Sequence, residues 1–151
     1  MNKTSYWICD KCGKKIEKPE DGWVEWMVPV DDNVPEKHNF GLRIVHEVTC
    51  IYKNSECTRF NAIQADSSLK EFIGVDGLMD LLRFISDDEF ENKEEVLEVI
   101  KRIHVPGYEE ARNYIKDAIS AGEYEPNTKA NYCSQNDISH ILNFIIKNKK
   151  I

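Results

Sequence analysis

The stretch Cys9-Asp10-Lys11-Cys12-Gly13 decides how the first third of the chain is interpreted, because it places two thiols close together. It follows Ser5-Tyr6-Trp7-Ile8, a short apolar segment that predicts a β-strand. The chain has five cysteines, and four of them lie in its first 57 residues. An odd number of cysteines without a secretory signal indicates a reducing compartment. We therefore expect a cytoplasmic protein whose clustered thiols bind a metal.

Three more residues of the metal-binding type follow at the spacing His46-x3-Cys50-x6-Cys57, and a closed tetrahedral site needs two of them. Cys57 lies in a polar segment that offers no core to fill, so it is included. An imidazole within an apolar strand is costly unless a metal satisfies one nitrogen, whereas a buried cysteine needs no partner. The favoured ligands are therefore Cys9, Cys12, His46 and Cys57, with Cys50 as the alternative to His46.

Cys9-x-x-Cys12-Gly13 after a short strand resembles the first knuckle of the zinc-ribbon family, over roughly residues 5–60. The resemblance implies a structural Zn²⁺ and a turn whose backbone N–H groups point at the sulfurs. The second half departs from that family, since it has no second CxxC. A redox dithiol is the other chemistry for such a pair, but Pro19 would end the helix that usually follows one.

The overall charge argues against an extended nucleic-acid-binding surface. The 151 residues include 20 basic and 27 acidic side chains, for a net charge of −7. Much of the acidity lies between residues 87 and 98, which we interpret as a solvated loop and helix start. One basic group, Lys11, Lys14, Lys15 and Lys18, keeps nucleic acid as a second partner hypothesis. No apolar run approaches the ~20 residues of a membrane span, so no membrane partner is expected.

Two kinds of periodicity predict an α+β fold. Residues 22–28 and 42–48 alternate as β-strands do, and from Ser67 onward apolar residues recur at helical spacing. One helix is expected to end near Gly74, and the next to be deeply buried through Leu78, Met79, Leu81, Leu82, Phe84 and Ile85. We therefore predict a three-stranded antiparallel zinc-ribbon-like module at residues 1–62, packed on a helical domain of four or five short helices at residues 63–151.

Outside the metal site, aromatic residues and one arginine form a candidate partner surface: Trp23, Tyr108, Arg112, Tyr124 and Tyr132. His104 is the one candidate acid–base group considered, and no second catalytic partner accompanies it. We therefore assign no catalytic residue and no cofactor other than structural Zn²⁺.

The favoured function is a non-enzymatic, zinc-stabilised binding, adaptor or regulatory protein that acts through protein–protein contacts. The isoleucine, lysine and asparagine content is typical of a low-GC bacterial or phage source. A zinc-ribbon nucleic-acid-binding regulator is the first alternative. A small hydrolase or nucleotide-binding enzyme centred on His104, Tyr108 and Arg112 is the second.

Overall fold

The computed structural model describes residues 4–30 and 37–149, and these form a mixed α+β protein. Their strands make two antiparallel groups. A short hairpin pairs β1 (Trp7–Ile8) with β2 (Lys15–Ile16). A three-stranded sheet has the order β4-β3-β5, made of β3 (Gly22–Pro29), β4 (Phe40–His46) and β5 (Ala62–Ser68). The α+β class and the two alternating strands, β3 and β4, are confirmed.

Helices occupy much of the remaining chain: α1 (Asn54–Arg59), α2 (Leu69–Ile73), α3 (Val75–Ser86), α4 (Lys93–His104), α5 (Tyr108–Ala111), α6 (Ile115–Ser120) and α7 (Gln135–Lys149). Short 3₁₀ turns cover Pro19–Asp21 and Arg112–Tyr114. Ser134 caps the start of α7, because its hydroxyl accepts from the Asp137 N–H at 3.1 Å. The Asp137 carboxylate in turn accepts from the Ser134 N–H at 2.9 Å, which completes a capping box.

The chain divides into two compact units: Ser5–His104, and a second unit made of Thr4 and the described residues from Val105 onward. The predicted division at residues 62 and 63 differs from this one. β5 begins at that point and pairs with residues 23–29 of β3, so the sheet continues past it. The core beside the sheet also includes Leu69, Leu81 and Val96 from α2, α3 and α4. Shared burial therefore places these three helices in the same unit as the strands.

α3 is buried on one face only. Leu81 and Phe84 lie in the core of the N-terminal unit, whereas Met79 and Leu82 are 64% and 44% exposed. The predicted deep burial is wrong for these two residues, because the core contacts a single face of the helix.

The C-terminal unit has its own core, formed by Tyr108, Ala111, Ile115, Ala118, Tyr124, Ile138, Ile141 and Ile145. The segment between α6 and α7 is tied down by Tyr124, whose hydroxyl donates to the Ala130 carbonyl at 2.9 Å. Within the described ranges, none of the helices is long and apolar enough to cross a membrane.

Candidate metal centre

The turn between β1 and β2 holds the first two thiols. Two backbone hydrogen bonds close it: the Cys9 N–H donates to the Lys14 carbonyl at 2.9 Å, and the Gly13 N–H donates to the Cys9 carbonyl at 3.0 Å. Gly13 has a φ of 75°, a left-handed conformation that glycine adopts without strain. The chain can therefore reverse immediately after Cys12.

Backbone N–H groups surround the sulfur of Cys9. The N–H groups of Lys11 and His46 each donate to Cys9 Sγ at 3.4 Å. Burial acts to raise the pKa of this thiol, but hydrogen bonds from the backbone of Cys12, His46 and Lys11 outweigh it and lower the pKa from 9.0 to about 6. Cys9 is thus predominantly a thiolate at neutral pH, which is the form that binds metals.

Two further sulfurs and one imidazole converge here. Cys12 Sγ lies 3.4 Å from Nδ1 of His46, and Cys50 Sγ lies 3.9 Å from the same nitrogen. The ligand atoms of these residues and Cys9 all lie within 4.8 Å of one another. Burial raises the pKa of the Cys50 thiol, so Cys9 and Cys50 differ in their readiness to ionise. Together the four residues can hold a metal ion.

The imidazole of His46 is oriented by its second nitrogen. Nε2 lies 3.1 Å from the backbone carbonyl oxygen of Lys15. A carbonyl oxygen only accepts hydrogen bonds, so Nε2 carries the proton and Nδ1 presents a lone pair to the thiols. A hydrogen bond of this kind on the outer nitrogen is typical of metal-binding histidines.

The hairpin turn is anchored to the rest of its unit by the Asp10–Arg102 ion pair. The Asp10 carboxylate accepts from Arg102 Nη1 at 2.7 Å and from the Ile44 N–H at 2.8 Å. Arg102 lies on α4, is only 2% exposed, and also donates through Nη2 to the Ile8 carbonyl at 2.9 Å. Asp10, which directly follows Cys9, is thereby fixed to β4 and to α4.

A buried polar network supports the other side of the cluster. Arg43 donates through Nη2 to the Cys50 carbonyl at 3.3 Å and through Nε to the Glu25 carboxylate at 2.7 Å. The other oxygen of Glu25 accepts from the Tyr52 N–H at 3.0 Å and from the Gln64 amide at 3.1 Å. Glu25 is fully buried, so these bonds satisfy a carboxylate that would otherwise be costly. They fix the backbone that carries Cys50.

Cys57 lies outside the cluster. It belongs to α1, and its Sγ is 3.9 Å from Met27 Sδ on β3. The polar segment that predicted a thiol without apolar neighbours is a helix packed beside β5, so the side chain does have an apolar contact. Cys50 joins the cluster together with His46, although the sequence argument treated the two as alternatives. His46 ends β4 and Cys50 follows four residues later. This spacing is the signal that could have identified both residues as ligands.

Several residues of the candidate partner surface serve packing. Tyr108 and Tyr124 are 1% and 4% exposed and belong to the core of the C-terminal unit. Trp23 is partly buried against the core of the N-terminal unit. Arg112 is half-buried, and Tyr132 is exposed. Burial thus removes Tyr108 and Tyr124 from the candidate partner surface.

His104, the candidate acid–base group, joins two helices. Its Nε2 donates to the Phe72 carbonyl of α2 at 2.8 Å, and burial lowers its pKa.

In the C-terminal unit, a cavity of about 340 Å³ is lined by Tyr114, Asp117, Phe144, Ile145, Asn148 and Lys149. Neither Tyr108 nor Arg112 lines this cavity.

The four lysines of the basic group, Lys11, Lys14, Lys15 and Lys18, are exposed on and after the hairpin. One of them, Lys15, places its Nζ 4.3 Å from the centre of the Tyr6 ring.

Comparisons of the chain with protein-family models, with curated proteins and with solved structures gave no match.

Proposed function

We propose that this chain is a non-enzymatic binding protein whose N-terminal unit is stabilised by one structural zinc ion. The observation that carries the proposal is the convergence of Cys9, Cys12, His46 and Cys50, with ligand atoms within 4.8 Å of one another. A tetrahedral zinc ion with Zn–S near 2.3 Å and Zn–N near 2.0 Å separates its ligand atoms by about 3.5–3.8 Å. The observed cluster is therefore close to the size that zinc requires.

A structural site fits the donor set better than a catalytic one. Catalytic zinc usually keeps three protein ligands and one open position for water or substrate. Here three sulfurs and one nitrogen supply all four positions, and the second nitrogen of His46 is held by a backbone carbonyl. When bound, the ion would cross-link two segments of the chain, and the protein would orient each ligand atom.

The hairpin gains most from such a cross-link. β1 and β2 contain two residues each, which is too short for independent stability. Zinc would join this hairpin to the end of β4, and binding free energy would become folding free energy for the segment. We therefore expect metal removal to loosen the hairpin.

Elemental analysis of the purified protein tests the zinc site. We expect about one zinc per chain, and a large loss in each of the variants Cys9→Ser, Cys12→Ser, His46→Gln and Cys50→Ser. Cys57→Ser is the matched control and should retain zinc, because Cys57 contacts Met27 instead. Metal-free wild-type protein with an ordered hairpin would refute the proposal. Loss of zinc from Cys57→Ser with retention in Cys50→Ser would refute the ligand set.

The exposed lysines Lys11, Lys14, Lys15 and Lys18 support nucleic-acid binding as the second candidate. A gel shift with duplex and single-stranded DNA at low salt tests it, because phosphate contacts weaken steeply as salt rises. A shift that salt abolishes, and that Lys14→Glu with Lys18→Glu removes, would favour this function. The absence of a shift at low salt would exclude it.

A further inference from the structure

One face of α3 presents apolar side chains to solvent. Val75, Met79 and Leu82 are 77%, 64% and 44% exposed. They are separated by four and three positions, so they lie in one row along the helix. We name this row the α3 stripe.

The opposite face of α3 is already buried in the core through Gly77, Leu81 and Phe84. α3 is therefore apolar on both sides, although only one side has a partner in the chain. A helix normally buries each of its apolar stripes against another element of structure. Single exposed apolar residues are common on proteins, but a row of them on one helix indicates a contact surface.

Acidic residues border the stripe on one side. Asp76 and Asp80 are exposed, and within residues 4–30 and 37–149 neither has an ion pair or hydrogen bond from its side chain. Arg83, the one basic residue of α3, is engaged by Asp87 at 3.4 Å and Glu89 at 2.8 Å. Its charge is thus offset, and the border keeps a negative field.

We propose that the α3 stripe is the docking site for an amphipathic helix of a partner protein, with apolar residues on one face and lysine or arginine beside them. Apolar residues of such a helix would cover Val75, Met79 and Leu82, and its basic residues would meet Asp76 and Asp80. Nucleic acids and anionic membranes are disfavoured, because both repel an acidic border. The proposal rests on the binding role proposed above and uses none of the metal ligands.

Designed peptides of about 15 residues test this surface with the full, metal-loaded protein. One peptide has a leucine stripe bordered by lysines, and its matched control has the same stripe bordered by glutamates. We expect fluorescence anisotropy to detect binding of the lysine peptide only. Met79→Glu should weaken that binding about tenfold or more. The double variant Asp76→Lys and Asp80→Lys should reverse the preference and select the glutamate peptide.

Ile146→Glu is the control for an unrelated exposed apolar residue, since Ile146 lies on α7 and is 55% exposed. It should leave the affinity unchanged. Equal binding of both peptides, or insensitivity to Met79→Glu, would overturn the proposal. Concentration-dependent dimerisation that Met79→Glu abolishes would assign the stripe to a second copy instead, and binding to zwitterionic vesicles would assign it to lipid. Zinc content measured on every variant separates failure of this surface from failure of the metal site.

Discussion

Replacing Arg102 by glutamine should weaken zinc binding about a hundredfold. Arg102 is 2% exposed and donates both to the Asp10 carboxylate and to the Ile8 carbonyl. Removing one partner of a buried ion pair costs roughly 3–5 kcal/mol. The side chain of Asp10 is 26% exposed, so water replaces part of the lost interaction, and we take the lower end, about 3 kcal/mol.

How much of this loss appears as weaker zinc binding depends on whether the ion pair also forms in the metal-free protein. Asp10 lies between Cys9 and Cys12, in a turn that we expect zinc to order. The ion pair then forms only together with the metal site, and about 3 kcal/mol becomes a roughly hundredfold rise in Kd. Competition against a chromophoric chelator measures the Kd, and the absorption bands of Co²⁺-substituted protein report whether the ligand geometry is retained.

Arg83→Gln is the matched control, because it removes an arginine–carboxylate pair of 2.8 Å at an exposed position. Exposed pairs contribute about 0–1 kcal/mol, so zinc affinity should stay unchanged in this variant. A Kd for Arg102→Gln within about threefold of the wild-type value would refute the reasoning. A double-mutant cycle with Asp10→Ala should also be non-additive, since both changes remove the same contact.

Three other regions give further predictions. Glu25→Gln should lower the free energy of unfolding by about 3–5 kcal/mol in urea titrations, because it leaves Arg43 without its buried counter-charge. Gly77→Ala should lower the thermal midpoint sharply, since its Cβ would lie 2.3 Å from a backbone atom of α2, whereas Gly74→Ala meets nothing within 4 Å and should be tolerated. Burial lowers the pKa of His104, so its neutral form stabilises the fold above pH 6.5 and that stability is lost as the pH falls through the lowered value; an imidazole midpoint at or above 6.5 by NMR would contradict this.

The strands and helices with a clear sequence pattern were predictable. β5 was not predicted, and it shows why some elements cannot be identified from the sequence. β3 and β4 are rich in aromatic and β-branched residues, which favour strands. β5 has the sequence AIQADSS, in which only Ile63 is of these types, and it is a strand because it pairs with residues 23–29 of β3. Pairing with a neighbour outweighed local preference, and no local pattern contains that information.

The metal site, too, could be predicted from the sequence only in part. Cys9 and Cys12 could be identified from their spacing, because both lie in one short turn. The sequence set Cys50 against His46 and included Cys57, whereas the cluster contains both Cys50 and His46. The position of Cys50 depends on where the chain goes after β4, which is fixed by contacts such as that of Arg43 with the Cys50 carbonyl. The contact of Arg102 with Asp10 could not be predicted from the sequence either, since 92 positions separate the two residues.

The separation of the ligands along the chain has a consequence for biosynthesis. Cys12 and His46 are 34 positions apart, so at about 5–20 residues per second the ribosome releases the histidine roughly 2–7 seconds after the cysteine. During that interval the nascent chain exposes a two-thiol site only. In the proposed function, capture of the ion by the complete set would therefore follow emergence of Cys50, and the hairpin would mature later than its place ahead of β3 suggests.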